Sequence, residues 1–524
     1  MKTQFCKVNA YPILMICGLI TIICLGCGLG GSEDSIEAEE SVSTTSAFDS
    51  GILPSGLNPP NGAAYDDVFF QEYGTNPFID TEDDNLSTFG MDVDTASYSV
   101  TRRYLRDGHL PPREAVRVEE FVNSFDYRYT PPSDDAFSVN IESAATPYGE
   151  NERYQLVRIG IQGRVVSDEN RKDATLTFVI DVSGSMAMEN RLGLVKRSLT
   201  LLVEQLRQGD KVAIVVYGTN ARIVLPHTGI AARAEILDAI NALEPEGATN
   251  AEEGLKVGYR LALRNAEVGR INRIILCSDG VANVGETGAD AILKNIRAYV
   301  EEGITLTTVG FGMGNFNDIL MEQLANNGNG SYAYVDNLNE AKRVFVENLT
   351  GTLQIIAKDA KVQVEFNPQN VSRYRLLGYE NRSLADEDFR NDDVDAGEIG
   401  SGHSVTALYE IKLHEGASGH LAKVSIRYED PDTYNVSEIS RDISSTELKR
   451  TFEEASLQFQ LAASVAEFAE ILRESYWAQA GSLDIVLQNI EEIRTNFANE
   501  QVEELVSMLH QSIRLKTTDS IERL

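Results

Sequence analysis

The stretch FVIDVSGSM, residues 178–186, decides the fold. Strand-forming residues run into Asp181, and Ser183 and Ser185 follow at alternate positions around Gly184. Such a segment is either an ordinary strand end, with serines capping the next helix, or a set of oxygen atoms arranged to hold a metal ion. Its surroundings choose between the two.

Outward from this stretch, apolar strands alternate with amphipathic helices. TLTFVID, KVAIVVYG, NRIILCSD, TLTTVGFG and SYAYVD read as strands. RLGLVKRSLTLLVEQL, AARAEILDAINAL, AEEGLKVGYRLALRNA, ADAILKNIRAYVEEG, NDILMEQLANNG and LNEAKRVFVENLTG carry helical spacing. Strands apolar on both faces and separated by helices imply a doubly wound, mostly parallel sheet over residues 169–357. In such a sheet, ligands bind outside the carboxyl ends of the strands. Asp181 and Asp279 both stand at strand carboxyl ends, and Thr249 lies in a loop ahead of a helix.

Asp181, Ser183, Ser185, Thr249 and Asp279 thus offer two carboxylates and three hydroxyls to one sheet edge. Hard cations prefer such oxygens, so the expected ion is Mg²⁺, with Mn²⁺ or Ca²⁺ as alternatives. With the hydroxyls on the ion and the aspartates holding its waters, the metal stays electrophilic. The expected ligand is then an Asp or Glu carboxylate on a partner protein.

Strand-rich stretches flank the α/β segment. FSVNIESAA and YQLVRIGIQGR lie in 136–168, and AKVQVEFN, VTALYEIKL and LAKVSIRYE in 358–445. We expect them to form one β-sandwich into which the α/β domain is inserted, followed by a helical region over 446–524. Residues 63–135 read as a helical region. Its MDVDTAS resembles the start of a haloacid-dehalogenase-type phosphatase, but Ala96 stands where that motif needs Thr or Val. Asp94 or Thr95 as a helix cap is the expected role.

Residues 1–26 read as a lipoprotein signal peptide, with lysines ahead of an apolar run and Leu25 and Gly26 before Cys27. Cys24 departs from the usual leucine of a lipobox, and Cys27 is the expected lipidation site. Residues 27–62, rich in Ser, Gly, Glu and Pro, read as a disordered acidic tether. Cys277 sits in an apolar run and is expected in the core.

With 80 acidic against 46 basic residues and a net charge of −34, the chain repels polyanions. Nucleic acid is excluded as an expected partner. Neither a P-loop lysine motif nor a nucleophile elbow is present, and no small-molecule substrate or enzymatic activity is expected. His414 and His420 lack zinc-helix spacing, and the acidic run 385–398 lacks calcium-loop spacing.

Residues 172–355 resemble a von Willebrand factor type A domain: DVSGS, Thr249 and CSDG match the three segments of its metal-ion-dependent adhesion site (MIDAS). MDVDTASYS, PPREAVRVEEFVNSF, GFGMGNFNDILMEQLA, ENRSLADEDF and VDAGEIGSGHSVTALYEI resemble a family of bacterial lipoproteins. In that family the A domain carries a dedicated N-terminal extension and a C-terminal domain of unassigned function. The resemblance implies Mg²⁺-dependent protein binding by a lipid-anchored protein of the bacterial cell envelope. The alternative is an envelope assembly factor working with an ATPase or another maturation protein.

Overall fold

The computed structural model describes residues 70–92, 94–147, 154–280, 294, 298–313, 317–394, 396–497 and 499–522. The expected signal peptide, Cys27 and the tether lie outside the described residues. The chain enters through β1 (Leu86–Gly90), α1 (Ala96–Arg106), the short α2 (Val118–Val122), β2 (Phe137–Ala145) and β3 (Tyr154–Gly163). It then builds an α/β unit from β4 (Ala174–Asp181), α3 (Arg191–Gln205), β5 (Lys211–Tyr217), β6 (Ala221–Gly229), α4 (Arg233–Asn241) and α5 (Ala251–Asn265). The unit continues through β7 (Ile271–Ser278), β8 (Thr305–Phe311), α6 (Asp318–Asn327), β9 (Tyr332–Val335), α7 (Leu338–Lys342) and α8 (Leu349–Leu353). The chain returns to strands with β10 (Ile355–Phe366), β11 (Val371–Leu377), β12 (Ser404–Leu413), β13 (His420–Glu429) and β14 (Val436–Ser444). It ends in α9 (Leu457–Leu472), α10 (Leu483–Arg494) and α11 (Glu500–Glu522).

The α/β sheet runs β9-β8-β7-β4-β5-β6 and is parallel except for β6. From β4 the chain moves to β5 and β6, then crosses back to β7 on the other side. The carboxyl ends of β4 and β7 therefore flank the switch point, where the diverging connections leave a crevice. All eight residues of β4 are buried, as a central strand covered on both faces requires. Edge strand β6 escapes the sequence pattern because its residues, Leu225 apart, are exposed or half-buried and it contains Pro226, which an edge tolerates.

Strands before and after the α/β unit share sheets. One sheet runs β11-β12-β3-β2, with β3 paired to β12 from Tyr154↔Lys412 to Gln162↔Ser404. The second contains β1, β10, β13 and β14, with β10 paired to both β1 and β13. Val157, Ile159 and Ile161 of β3 meet Val362, Val364 and Phe366 of β10 in the sandwich core. The alternate residue Leu156 joins the core formed with α9–α11. This period of two makes β3 buried on both faces.

The N-terminal region is more than helical: LSTFG forms β1, whose Leu86–Gly90 pairs with Glu365–Lys361. Helix α1 serves two cores. Tyr98 and Leu105 pack with the C-terminal helices, while Val100 and Tyr104 cover one face of the α/β sheet. Buried arginines complete the junction. Arg102 bonds Asp336 together with Glu340 at 2.9 Å and Glu504 at 2.7 Å. Arg117 bonds Glu120 and reaches Asp318 at 3.0 Å. Arg382 reaches Asp94 at 3.1 Å and Glu322 at 3.0 Å. Neither expected cap acts as one: Thr95 occupies the cap position without a side-chain hydrogen bond, and Asp94 accepts the Tyr332 amide at 2.9 Å.

The expected helix LNEAKRVFVENLTG is interrupted. After α7, residues Arg343–Glu347 form a widened π turn before α8. Much of the expected helix ADAILKNIRAYVEEG lies outside the described residues; residues 298–301 are helical.

Candidate metal centre

The site begins with β4. Its ladders to β5 and β7 deliver Asp181 to the switch point with the carboxylate fully buried. The turn that follows folds onto that carboxylate: the Ser183 amide donates to Asp181 Oδ1 at 2.8 Å. Ser278, at the end of β7, donates its hydroxyl to Asp181 Oδ2 at 2.9 Å. Both oxygens are thereby oriented by neighbours rather than by solvent. The Ser183 and Ser185 hydroxyls lie 3.0 Å apart.

The loop carrying Thr249 is tied to the same turn. The Gly184 amide donates to Gly247 O at 3.1 Å, and the Glu246 amide donates to Val182 O. Gly247 has φ +71°, and a Cβ there would run into Thr219. Glycine permits both the left-handed backbone and the close approach. Thr249 is half-buried, and its hydroxyl has no hydrogen bond to a described residue. The next residue, Asn250, caps α5 by accepting the Glu253 amide at 3.1 Å.

Asp279 follows β7 and is 2 % exposed. Its Oδ2 accepts Arg191 Nη1 at 2.7 Å, and Ser185 also hydrogen-bonds its carboxylate. Burial pushes Asp181 up to about 7, the charge of Asp279 adds to the rise, and the bonds from Ser183 and Ser278 oppose it. Burial also raises Asp279, with Arg191 pulling the other way. Two carboxylates in a dry crevice repel each other, and a cation relieves that repulsion.

The structure brings Asp181, Ser183, Ser185 and Asp279 into one hydrogen-bonded cluster and ties the Thr249 loop against it. Sequence reasoning missed Arg191 and Ser278. Arg191 had one signal: a cation at the first position of a helix opposes the helix dipole, so it needs a partner elsewhere. Cys277 is buried in the core, where burial raises its thiol pKa. His414 follows β12 and His420 opens β13; His414 Nε2 is 3.1 Å from Pro368 O, and His420 faces Asp442 at 3.7 Å.

Among the described residues, three oxygen types, carboxylate, hydroxyl and carbonyl, are the chemistry of the cluster. That set fits a hard divalent cation.

A doubly wound sheet with such a cluster at its switch point defines the class, and comparison with known proteins agrees. Residues 175–349 match the von Willebrand factor type A domain, so the chain contains that domain. Residues 64–158 match a region described as von Willebrand factor, and residues 351–421 and 413–515 match the C-terminal domain of the uncharacterized protein YfbK. The chain is homologous to YfbK of Escherichia coli (strain K12), at 42% identity over 353 residues. That alignment covers 66% of this chain and 61% of YfbK, so the chain spans less than two thirds of that relative. The uncharacterized protein sll0103 of Synechocystis is 26% identical over 321 residues, covering 60% of this chain and 75% of that one. Among solved structures, a von Willebrand factor type A protein from Catenulispora acidiphila is similar at 15% identity and TM-score 0.42, over 71% of this chain and 89% of that one.

Proposed function

We propose that the protein is a lipid-anchored, non-enzymatic binding protein of the bacterial cell envelope, which captures an acidic side chain of a protein ligand through a divalent ion. The observation that carries this reading is the buried Asp181–Asp279 pair with the Ser183 and Ser185 hydroxyls beside it and the Thr249 loop tied to the same turn. The three hydroxyls would hold Mg²⁺, and the two aspartates would hold its waters. The bound ion supplies an electrophilic position for a carboxylate. Asp181 and Asp279 are each already engaged by donors, which leaves no evident general base for hydrolysis among the described residues. Lipidation at Cys27 and the acidic tether would hold the folded part off the membrane.

The test is capture of partners from envelope and extracellular extracts on the soluble protein, in Mg²⁺ against EDTA, and with wild type against Asp181→Ala. Partners lost under both changes support the reading. A partner set indifferent to both would reject it and move attention to the sandwich and N-terminal region.

A further inference from the structure

Arg191 is the one cation set against the metal cluster among the described residues. It is the first residue of α3, and its side chain is 4 % exposed. Nη1 donates to Asp279 Oδ2 at 2.7 Å, and Nη2 donates to the carbonyl of Met313, just past the end of β8. The chain makes room for this reach. Gly312 has φ +80°, and a Cβ at that position would collide with the Arg191 side chain. The guanidinium therefore spans from the carboxyl end of β7 to that of β8, across the crevice wall.

The consequence is electrostatic. With a cation bound and both protons displaced, Asp181 and Asp279 carry two negative charges, and Arg191 returns one positive charge. A divalent ion entering that set leaves the cluster one positive charge in excess, which a ligand carboxylate then neutralises. Without Arg191 the ion alone would neutralise both aspartates, and the ligand would meet a site with no excess charge. At a few ångströms in a buried crevice, one such charge outweighs small differences in ligand geometry.

We propose that Arg191 is a built-in counter-cation of the metal site: it weakens the hold on the divalent ion and thereby couples ion binding to the arrival of an acidic ligand. Arg191 is a positioning residue that acts through Asp279. This inference rests on the metal-site reading above and specifies how that site is tuned.

The experiment titrates Mn²⁺ into the soluble protein, followed by electron paramagnetic resonance of the free ion, in sodium acetate and in sodium chloride at equal ionic strength. Wild type, Arg191→Gln, Arg191→Lys and Asp181→Ala are compared. The expected result is tighter Mn²⁺ binding by Arg191→Gln, about tenfold, and near wild-type binding by Arg191→Lys. Acetate should strengthen Mn²⁺ binding more in wild type than in Arg191→Gln. Should Arg191→Gln fail to fold, Gly312→Ala displaces the guanidinium while keeping it in the chain, and should tighten binding in the same direction. A purely structural role for Arg191 predicts weaker binding in Arg191→Gln and Gly312→Ala. If wild type binds Mn²⁺ in an Asp181-dependent way and folded Arg191→Gln and Gly312→Ala bind no more tightly, the role of Arg191 is overturned and the metal site stands. If neither wild type nor any variant binds Mn²⁺, both readings fall.

Discussion

Two regions of this molecule bury carboxylates, and they do so to opposite ends. At the junction of α1, α2, α6 and the segment after β11, Glu120 accepts both Ser97 N and Arg117 Nε, and Asp318 accepts both Tyr332 OH and Arg117. Asp94 accepts Tyr332 N and Arg382. Each carboxylate is met by donors on both oxygens, and no open oxygen cluster remains for an ion. At the Asp181–Asp279 cluster the carboxylates are also engaged, by Arg191 and the Ser183 amide, but with the Ser183, Ser185 and Ser278 hydroxyls gathered beside them at the crevice. The same residue types make a staple in one place and, on the proposed function, a receptor in the other. What differs is that several guanidinium groups close the junction, whereas at the Asp181–Asp279 cluster one guanidinium stands among serine hydroxyls that can themselves accept a metal.

The comparison breaks most visibly at Arg117. Removing a buried guanidinium leaves Glu120 and Asp318 uncompensated, so Arg117→Ala should lower stability by about 3–5 kcal/mol, read as a shift in the urea unfolding midpoint. A loss comparable to that of an exposed pair would show that the junction is not a staple.

At the receptor end the largest effect is on binding rather than on folding. Asp279→Asn should weaken divalent-ion affinity by about 10–100-fold, measured by calorimetric titration with Mn²⁺, while circular dichroism stays that of wild type. Collapse of the fold in that variant would erase the distinction between the two regions.

Titration of the junction sharpens it further. Glu119 of α2 is pushed up to about 7 by burial and then by the charges of Glu380 and Glu120. Its folded-state pKa lies above the ordinary carboxylate range, so its contribution to stability is complete below that range and is lost as pH rises through about 7. Glu119→Gln should therefore gain stability relative to wild type between about pH 5 and 8, followed by thermal unfolding across that window. A difference independent of pH would place its proton elsewhere. The smallest change is expected at the exposed pair Arg222–Glu246, whose side chains are about half exposed. Arg222→Ala should alter stability by less than about 1 kcal/mol in the same assay.

Much of the architecture was legible because its signals are local. The double-faced apolarity of 174–181 and 271–278 announced central strands, and the sandwich followed from alternating stretches on both sides of the α/β unit. Asp181, Ser183 and Ser185 were legible as one turn, and Asp279 as a strand end. Strand β6 was not, since an exposed edge with a proline carries no apolar period. The break at Arg343–Glu347 was equally silent, because RVFVE keeps a helical pattern while its backbone widens. Asp94 read as a cap because the residues next to it permit one; only the fold places Arg382, 288 residues away, against its carboxylate.

By itself, the sequence determined the doubly wound sheet, its flanking strands and the oxygen-rich turn at its switch point. These depend on periodicity and residue chemistry within a few positions. Only the tertiary structure decided which charges meet. Arg191 reaches Asp279 because β4 and β7 are neighbours, and Arg117 reaches Asp318 because α2 lies against α6. Electrostatic partnership depends on distance in space and on exclusion of water, and neither is written in the order of the residues.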